Sequence, residues 1–173
     1  MYKRQEIDLT PGENLIASFS GWSGDYESFF VQTNERDPRF FDVYEYQLTE
    51  GYPRKMIFRN EEGFFPAQVS PDGRYLALTE LISADNNNLH VQNLTNGERI
   101  LITPHAGNVS SAPSDFSPDG AAFYYTTDEG SEFQQLMRYD ISSGDKEVVL
   151  ALEWDIYYGV FSWEGNYFVV AAN

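Results

Sequence analysis

The chain has no cysteine. That excludes a disulfide framework, a cysteine-based zinc site and a thiol nucleophile. Histidine is nearly as scarce, with only His90 and His105. Positive charge is thin as well: 11 Lys and Arg stand against 27 Asp and Glu, a formal net charge of −16 over 173 residues. Such a surface repels phosphate backbones and argues against a nucleic-acid partner. It speaks to solubility and steering, not to fold. No apolar run approaches the ~20 residues of a membrane-spanning helix, and no stretch keeps a helical period.

What the chain has in quantity is aromatic residues. Tyr contributes 12 and Phe 13, and 42% of all residues are hydrophobic. That is enough to build a core and argues against disorder despite the charge. The length allows one domain, or at most one and a half.

Internal repeats organise the rest. Four segments share a Ser-x-acid pattern: Ser23-Gly24-Asp25-Tyr26, Ser70-Pro71-Asp72-Gly73, Ser117-Pro118-Asp119-Gly120 and Ser162-Trp163-Glu164-Gly165. Successive serines are 47, 47 and 45 residues apart. An apolar residue precedes each motif (Trp22, Val69, Phe116, Phe161), and a β-rich run follows each. A second motif recurs beyond the first three, in Val43–Gly51, Leu89–Gly97 and Leu136–Gly144, with glycines 46 and 47 residues apart. Two independent motifs hold one register.

The chemistry of each unit is that of hairpins. Pro presets φ, Asp bonds the backbone ahead and Gly takes a positive φ cheaply. Further short strands are expected at Arg54–Phe58, Arg99–Thr103 and Glu147–Ala151. Four antiparallel strands in about 46 residues are the signature of a propeller blade. The expected fold is therefore all-β, an incomplete β-propeller. Three full blades span about 14–59, 62–104 and 108–152. Glu6–Thr10 is expected to be a leading outer strand, and 157–173 the two inner strands of a fourth blade. Open blade edges predict self-association. Residues 1–5 are set apart: Tyr2-Lys3-Arg4-Gln5 resembles the translation of a sequencing-library adapter, which suggests a cloning or assembly scar.

The Ser-Pro-Asp-Gly blade resembles the repeat of the Tol-system propeller and of the N-terminal propellers of prolyl oligopeptidase-family serine peptidases. Longer stretches are similar to the propeller half of bacterial enzymes of the peptidase family: Leu9–Glu13, Phe29–Tyr46, Thr103-Pro104-His105 and Tyr124–Phe133. The segment Asn34–Tyr46 is the most specific of these. The resemblance implies a parent enzyme with an α/β-hydrolase domain carrying a Ser-Asp-His triad, and a propeller that restricts access to short or unfolded peptides. None of the triad positions maps onto this chain. Its expected partners are that hydrolase domain and the parent's peptide substrate. The alternative is a Tol-like propeller that binds proteins without catalysis.

The residues that could carry chemistry within the chain have structural explanations. Gly21-Trp22-Ser23-Gly24-Asp25 approaches a nucleophile elbow but lacks the second glycine in place, and it sits in register with the other blade turns. His90 takes a blade position held elsewhere by Tyr44 and Met137, and His105 falls between blades. Neither suits a triad or zinc. The acid pairs Glu61/Glu62, Asp128/Glu129 and Glu153/Asp155 are expected by chance in so acidic a chain. Asp85-Asn86-Asn87-Asn88 lacks the glycine and terminal glutamate of a calcium loop. No cofactor and no metal are expected.

Turn-building roles are expected for Ser23, Asp25, Ser70, Asp72, Gly73, Ser117, Asp119, Gly120, Ser162, Glu164 and Gly165. The loops Asn34–Asp42, Ile82–Asn88 and Asp128–Gln134 should share one face. In the first, Arg36, Asp37 and Arg39 are candidates for contact with the hydrolase domain or a peptide carboxylate. The competing reading is an intrablade salt bridge or a turn built on Asp37-Pro38.

Overall fold

The computed structural model describes residues 6–173, so the adapter-like residues 1–5 lie outside the described residues. Fourteen strands form four antiparallel sheets, and no helix occurs among the described residues. The first sheet runs in chain order through β1 (Ala17–Trp22), β2 (Ser28–Asp37), β3 (Phe40–Gln47) and β4 (Arg54–Phe58). The second repeats the plan with β5 (Phe65–Val69), β6 (Tyr75–Ser83), β7 (Asn86–Asn93) and β8 (Arg99–Leu101). The third comprises β9 (Ser111–Phe116), β10 (Ala122–Thr127), β11 (Gln135–Asp140) and β12 (Lys146–Leu150). The last has two strands, β13 (Ile156–Phe161) and β14 (Phe168–Ala172). The expected all-β architecture of three four-stranded blades and part of a fourth is what the structure holds.

Consecutive sheets pack face to face, with β1 against β5, β5 against β9 and β9 against β13. The cores lie between sheets for this reason. One cluster joins blades 2 and 3 through Ala77, Leu89, Val91, Ile102, Phe116, Phe123, Tyr125 and Tyr139. Another joins blades 1 and 2 through Phe30, Val43, Phe58, Val69, Leu76 and Leu78. A second strand with a blade on each side is covered on both faces, so it needs apolar residues nearly without alternation. In β10 all residues but Tyr124 are buried, although Thr126 and Thr127 are polar. Among the described residues the four sheets do not close into a ring.

Two expectations need correction. Glu6–Thr10 forms no strand. A strand requires a neighbouring backbone to bond, and no described strand pairs with this segment. Leu9 instead packs on the Val31, Tyr44 and Tyr46 cluster, and its carbonyl accepts the Tyr46 hydroxyl at 3.2 Å. Second, two of the expected loops are hairpin extensions. β2 and β3 run on until only Pro38 and Arg39 separate them, with Asp37 paired to Phe40. β6 and β7 continue until only Ala84 and Asp85 remain between them. The polar residues of these segments find ladder and side-chain partners, so they stay extended. Only Asp128–Gln134 remains outside the strands.

Candidate functional site

The molecule has two ends, and the repeat builds each differently. At one end lie the turns joining first and second strands. Ser70 Oγ donates to Asp72 Oδ1 at 2.6 Å and accepts the Tyr75 N–H at 2.9 Å, while Asp72 also accepts the Arg74 N–H at 3.0 Å. Ser117, Asp119, Ala121 and Ala122 reproduce this geometry. Ser23, Asp25, Glu27 and Ser28 do so again in blade 1. The Ser23 bond and then the Glu27 N–H hold the Asp25 carboxyl below its ordinary range, and Ser117 and the Ala121 N–H act likewise on Asp119. Burial pushes Asp72 up, but its bonds to Ser70 and Arg74 outweigh this and leave it lowered. Glu164 departs from the pattern. Ser162 Oγ still accepts the Tyr167 N–H at 3.1 Å, but the longer Glu164 side chain accepts from Asn166 Nδ2 instead of from Ser162.

These turns nest against one another. The Gly24 N–H donates to the Pro71 carbonyl at 2.6 Å. A Cβ at Gly120 would strike the Asp72 carboxylate, and one at Gly165 would strike Pro118. Gly73, Gly120 and Gly165 all hold φ near +70° (70°, 68° and 70°), which only glycine adopts cheaply. Between the turns opens a cleft of about 680 Å³, lined by Trp22, Tyr26, Pro71, Asp115, Pro118 and Trp163 among others. Asp115 accepts the Phe161 N–H and the Phe116 N–H, both at 2.8 Å, tying blade 3 to blade 4. Burial nevertheless pushes its carboxyl upward.

At the other end are the hairpins between second and third strands. Arg36 grips the fully buried Asp42 with two bonds, Nε to Oδ2 at 2.6 Å and Nη2 to Oδ1 at 2.8 Å, and reaches the Asn60 carbonyl at 2.6 Å. The Asn60 N–H also donates to Asp42 at 2.8 Å. This array anchors the crossing from blade 1 to blade 2, and the Asp42 bond raises the Arg36 pKa. Arg39 behaves otherwise. Its side chain is 76% exposed, it pairs with Asp37 at 2.8 Å and it covers the Phe40 ring. The Arg39 guanidinium, then its backbone N–H, holds the Asp37 carboxyl well below the usual range.

The remaining candidates are spread out. Ser23 is buried, donates to Asp25 and to the Ser28 carbonyl, and lies in a strand-to-strand turn. His90 Nε2 sits 3.0 Å from Glu80, with the Phe64 ring edge-on to its imidazole. His105 is held by the Thr103 carbonyl and by Asn86 at 2.8 and 2.7 Å. No serine hydroxyl bonds either ring among the described residues. Asp85, Asn86, Asn87 and Asn88 turn to separate partners: Ser83 and Asn108, His105, Ser111, and Glu80. No group of three or more His, Asp or Glu among the described residues could hold a metal.

Several working side chains escaped the sequence reading. Asn87 clamps both backbone groups of Ser111, accepting its N–H at 2.9 Å and donating to its carbonyl at 2.6 Å. Asp155 accepts the Gln134 N–H at 3.0 Å. No spacing rule marks such clips, because their partners lie in the next blade. Tyr26 and Trp163 could have been found: aligning the four motifs puts Tyr26 in the glycine slot and Trp163 in the proline slot.

The family model for the prolyl oligopeptidase N-terminal beta-propeller domain matches residues 13–173. Dipeptidyl aminopeptidase BIII of Pseudoxanthomonas mexicana is 23% identical over 149 residues, which make up 84% of this chain and 21% of that protein. The chain thus spans about a fifth of the length of this curated relative. Among solved structures, TolB from Acinetobacter baumannii superposes with a TM-score of 0.66 at 21% identity, over 90% of this chain and 37% of its own. Prolyl oligopeptidase B from Galerina marginata gives 0.59 at 15% identity, over 90% and 23%. These structural likenesses speak to the fold alone. Matched across nearly its whole length, the chain belongs to the family of prolyl oligopeptidase N-terminal β-propeller domains.

Proposed function

We propose that this chain is the non-catalytic propeller part of a prolyl oligopeptidase-like serine peptidase. In the whole protein it would gate peptide access to an α/β-hydrolase active site that carries the Ser-Asp-His triad. The observation that carries this reading is the family match over residues 13–173, in a chain that spans about a fifth of a dipeptidyl aminopeptidase. The candidate hydroxyl and imidazoles support it, since Ser23 is bonded within its turn and His90 and His105 are bonded to Glu80 and Asn86. In this reading the Arg36, Asp37 and Arg39 hairpin faces the hydrolase domain or a peptide carboxylate. Arg39 makes the contact, because Arg36 is engaged by Asp42 and Asn60.

The test is the gene beyond the Asn173 codon. A Gly-x-Ser-x-Gly followed by Asp and His supports the proposal, and further blades ending in a stop codon sink it. The purified chain alone should not turn over chromogenic peptide esters. A second reading is a Tol-like propeller that binds proteins without catalysis, compatible with the fold shared with TolB. The same gene sequence separates the two.

A further inference from the structure

Two of the four blade turns break the repeat, and the two exceptions meet. In blade 1 the residue aligned with Gly73, Gly120 and Gly165 is Tyr26, which holds φ +59°. An aromatic side chain in this left-handed region is strained, and the turn itself imposes it, since the Tyr26 N–H donates to the Ser23 carbonyl at 2.9 Å just as the Gly73 N–H donates to Ser70 at 2.8 Å. In blade 4 the residue aligned with Pro71 and Pro118 is Trp163. The two rings stack with centroids 4.3 Å apart and planes 5° from parallel. The Tyr26 hydroxyl donates to the Trp163 carbonyl at 2.9 Å. Trp22 adds a third ring, edge-on to Trp163 at 6.5 Å.

Blades 1 and 4 are not neighbours in the sheet stack, since blades 2 and 3 stand between them. The stack therefore crosses the cleft between the turns, and both of its residues line that cleft. We infer that Tyr26 and Trp163 form a latch that joins the first and fourth blades across this cleft and keeps it narrow. When the rings part, Trp163 swings free with blade 4. The latch depends on these two turns alone, and holds whichever reading of the whole protein is right.

Hydrogen exchange read by mass spectrometry on the dilute 173-residue chain tests it. Tyr26→Gly restores the turn glycine, and Trp163→Ala removes the opposing ring. Each should speed exchange of the β13 and β14 amides about tenfold, equivalent to ~1.4 kcal/mol. The double variant should exchange no faster than either single one. Tyr26→Phe keeps the stack and should stay within about threefold of the parent, the effect of one exposed hydrogen bond. The latch is overturned if Tyr26→Gly leaves blade 4 exchange unchanged, or if the two effects multiply in the double variant. It is equally overturned if Tyr26→Phe opens blade 4 as far as Tyr26→Gly does.

Discussion

Blades 3 and 4 begin alike, yet their equivalent strands sit in different surroundings. In β10, Phe123 and Tyr125 are buried between sheets. In the matching strand of blade 4 the residues in register with them, Phe168 and Val170, are only half-buried, and on the opposite face Val169 is 54% exposed and Tyr167, just before the strand, 74%. Both runs read the same in sequence, Ala-Phe-Tyr-Tyr against Tyr-Phe-Val-Val. The difference teaches that a blade does not bury its own faces: a neighbour does. Stability in such an array is a sum of unit terms and interface terms, and blade 4 has an interface on one side.

The sharpest way to break the comparison is to truncate equivalent strands. Phe123→Ala should cost about 3–5 kcal/mol, a fully buried ring lost between two sheets. Val169→Ala should stay within about 0.5 kcal/mol. Urea midpoints measure both, and similar costs would show that blade 4 is as well covered as blade 3.

Next in size is the clip between blades 2 and 3. Asn87→Ala leaves the buried Ser111 N–H and carbonyl without their partner, at a cost of about 1–3 kcal/mol. Asn87→Asp should recover only the acceptor half. A Ser111 amide that exchanges at the parent rate in the alanine variant would contradict this.

Smaller effects follow from pH, and their signs oppose. Asp72 sits below its ordinary value of 3.8 in the folded chain. Its contribution is therefore present above that value and is lost as pH falls through the folded one. The stability gap between parent and Asp72→Asn should shrink on acidification. Asp115 is raised above 3.8 by burial. Its charged form is disfavoured by folding, so its penalty enters as pH rises from 3.8 through the raised value. The gap between parent and Asp115→Asn should slope the other way. Two gaps of the same slope would refute the contrast between the blade 2 turn and the joint of blades 3 and 4.

The smallest effect on stability should come with a visible one on association. We propose that β14, bonded only to β13 among the described residues and carrying exposed Val169, pairs with a second copy of the chain. Val169→Lys should leave the urea midpoint almost unchanged and shift sedimentation toward monomer. A parent chain that already sediments as a monomer removes the proposal.

Much of the blade plan was legible in the sequence, because turn chemistry is local. Ser70, Asp72 and Gly73 find their bonds within five residues of one another, so spacing alone exposes them. The hairpin ends were less legible. Asn34–Asp42 reads as a loop from its polar residues, yet Asp37 pairs with Phe40 and Arg36 reaches back to Asp42. Bonds of that kind depend on where the chain has turned. Glu6–Thr10 has a strand's alternation but no described neighbour to bond.

The sequence by itself determined the repeat, the antiparallel meander and the absence of thiol chemistry, since these follow from short-range backbone preferences and from composition. Tertiary structure alone decided what touches what across blades. The Asn87 clip, the Asp115 tie and the stack of Tyr26 on Trp163 join residues 24, 46 and 137 positions apart. Contacts at such separations are chosen by the packing angle of successive sheets, which no local pattern encodes.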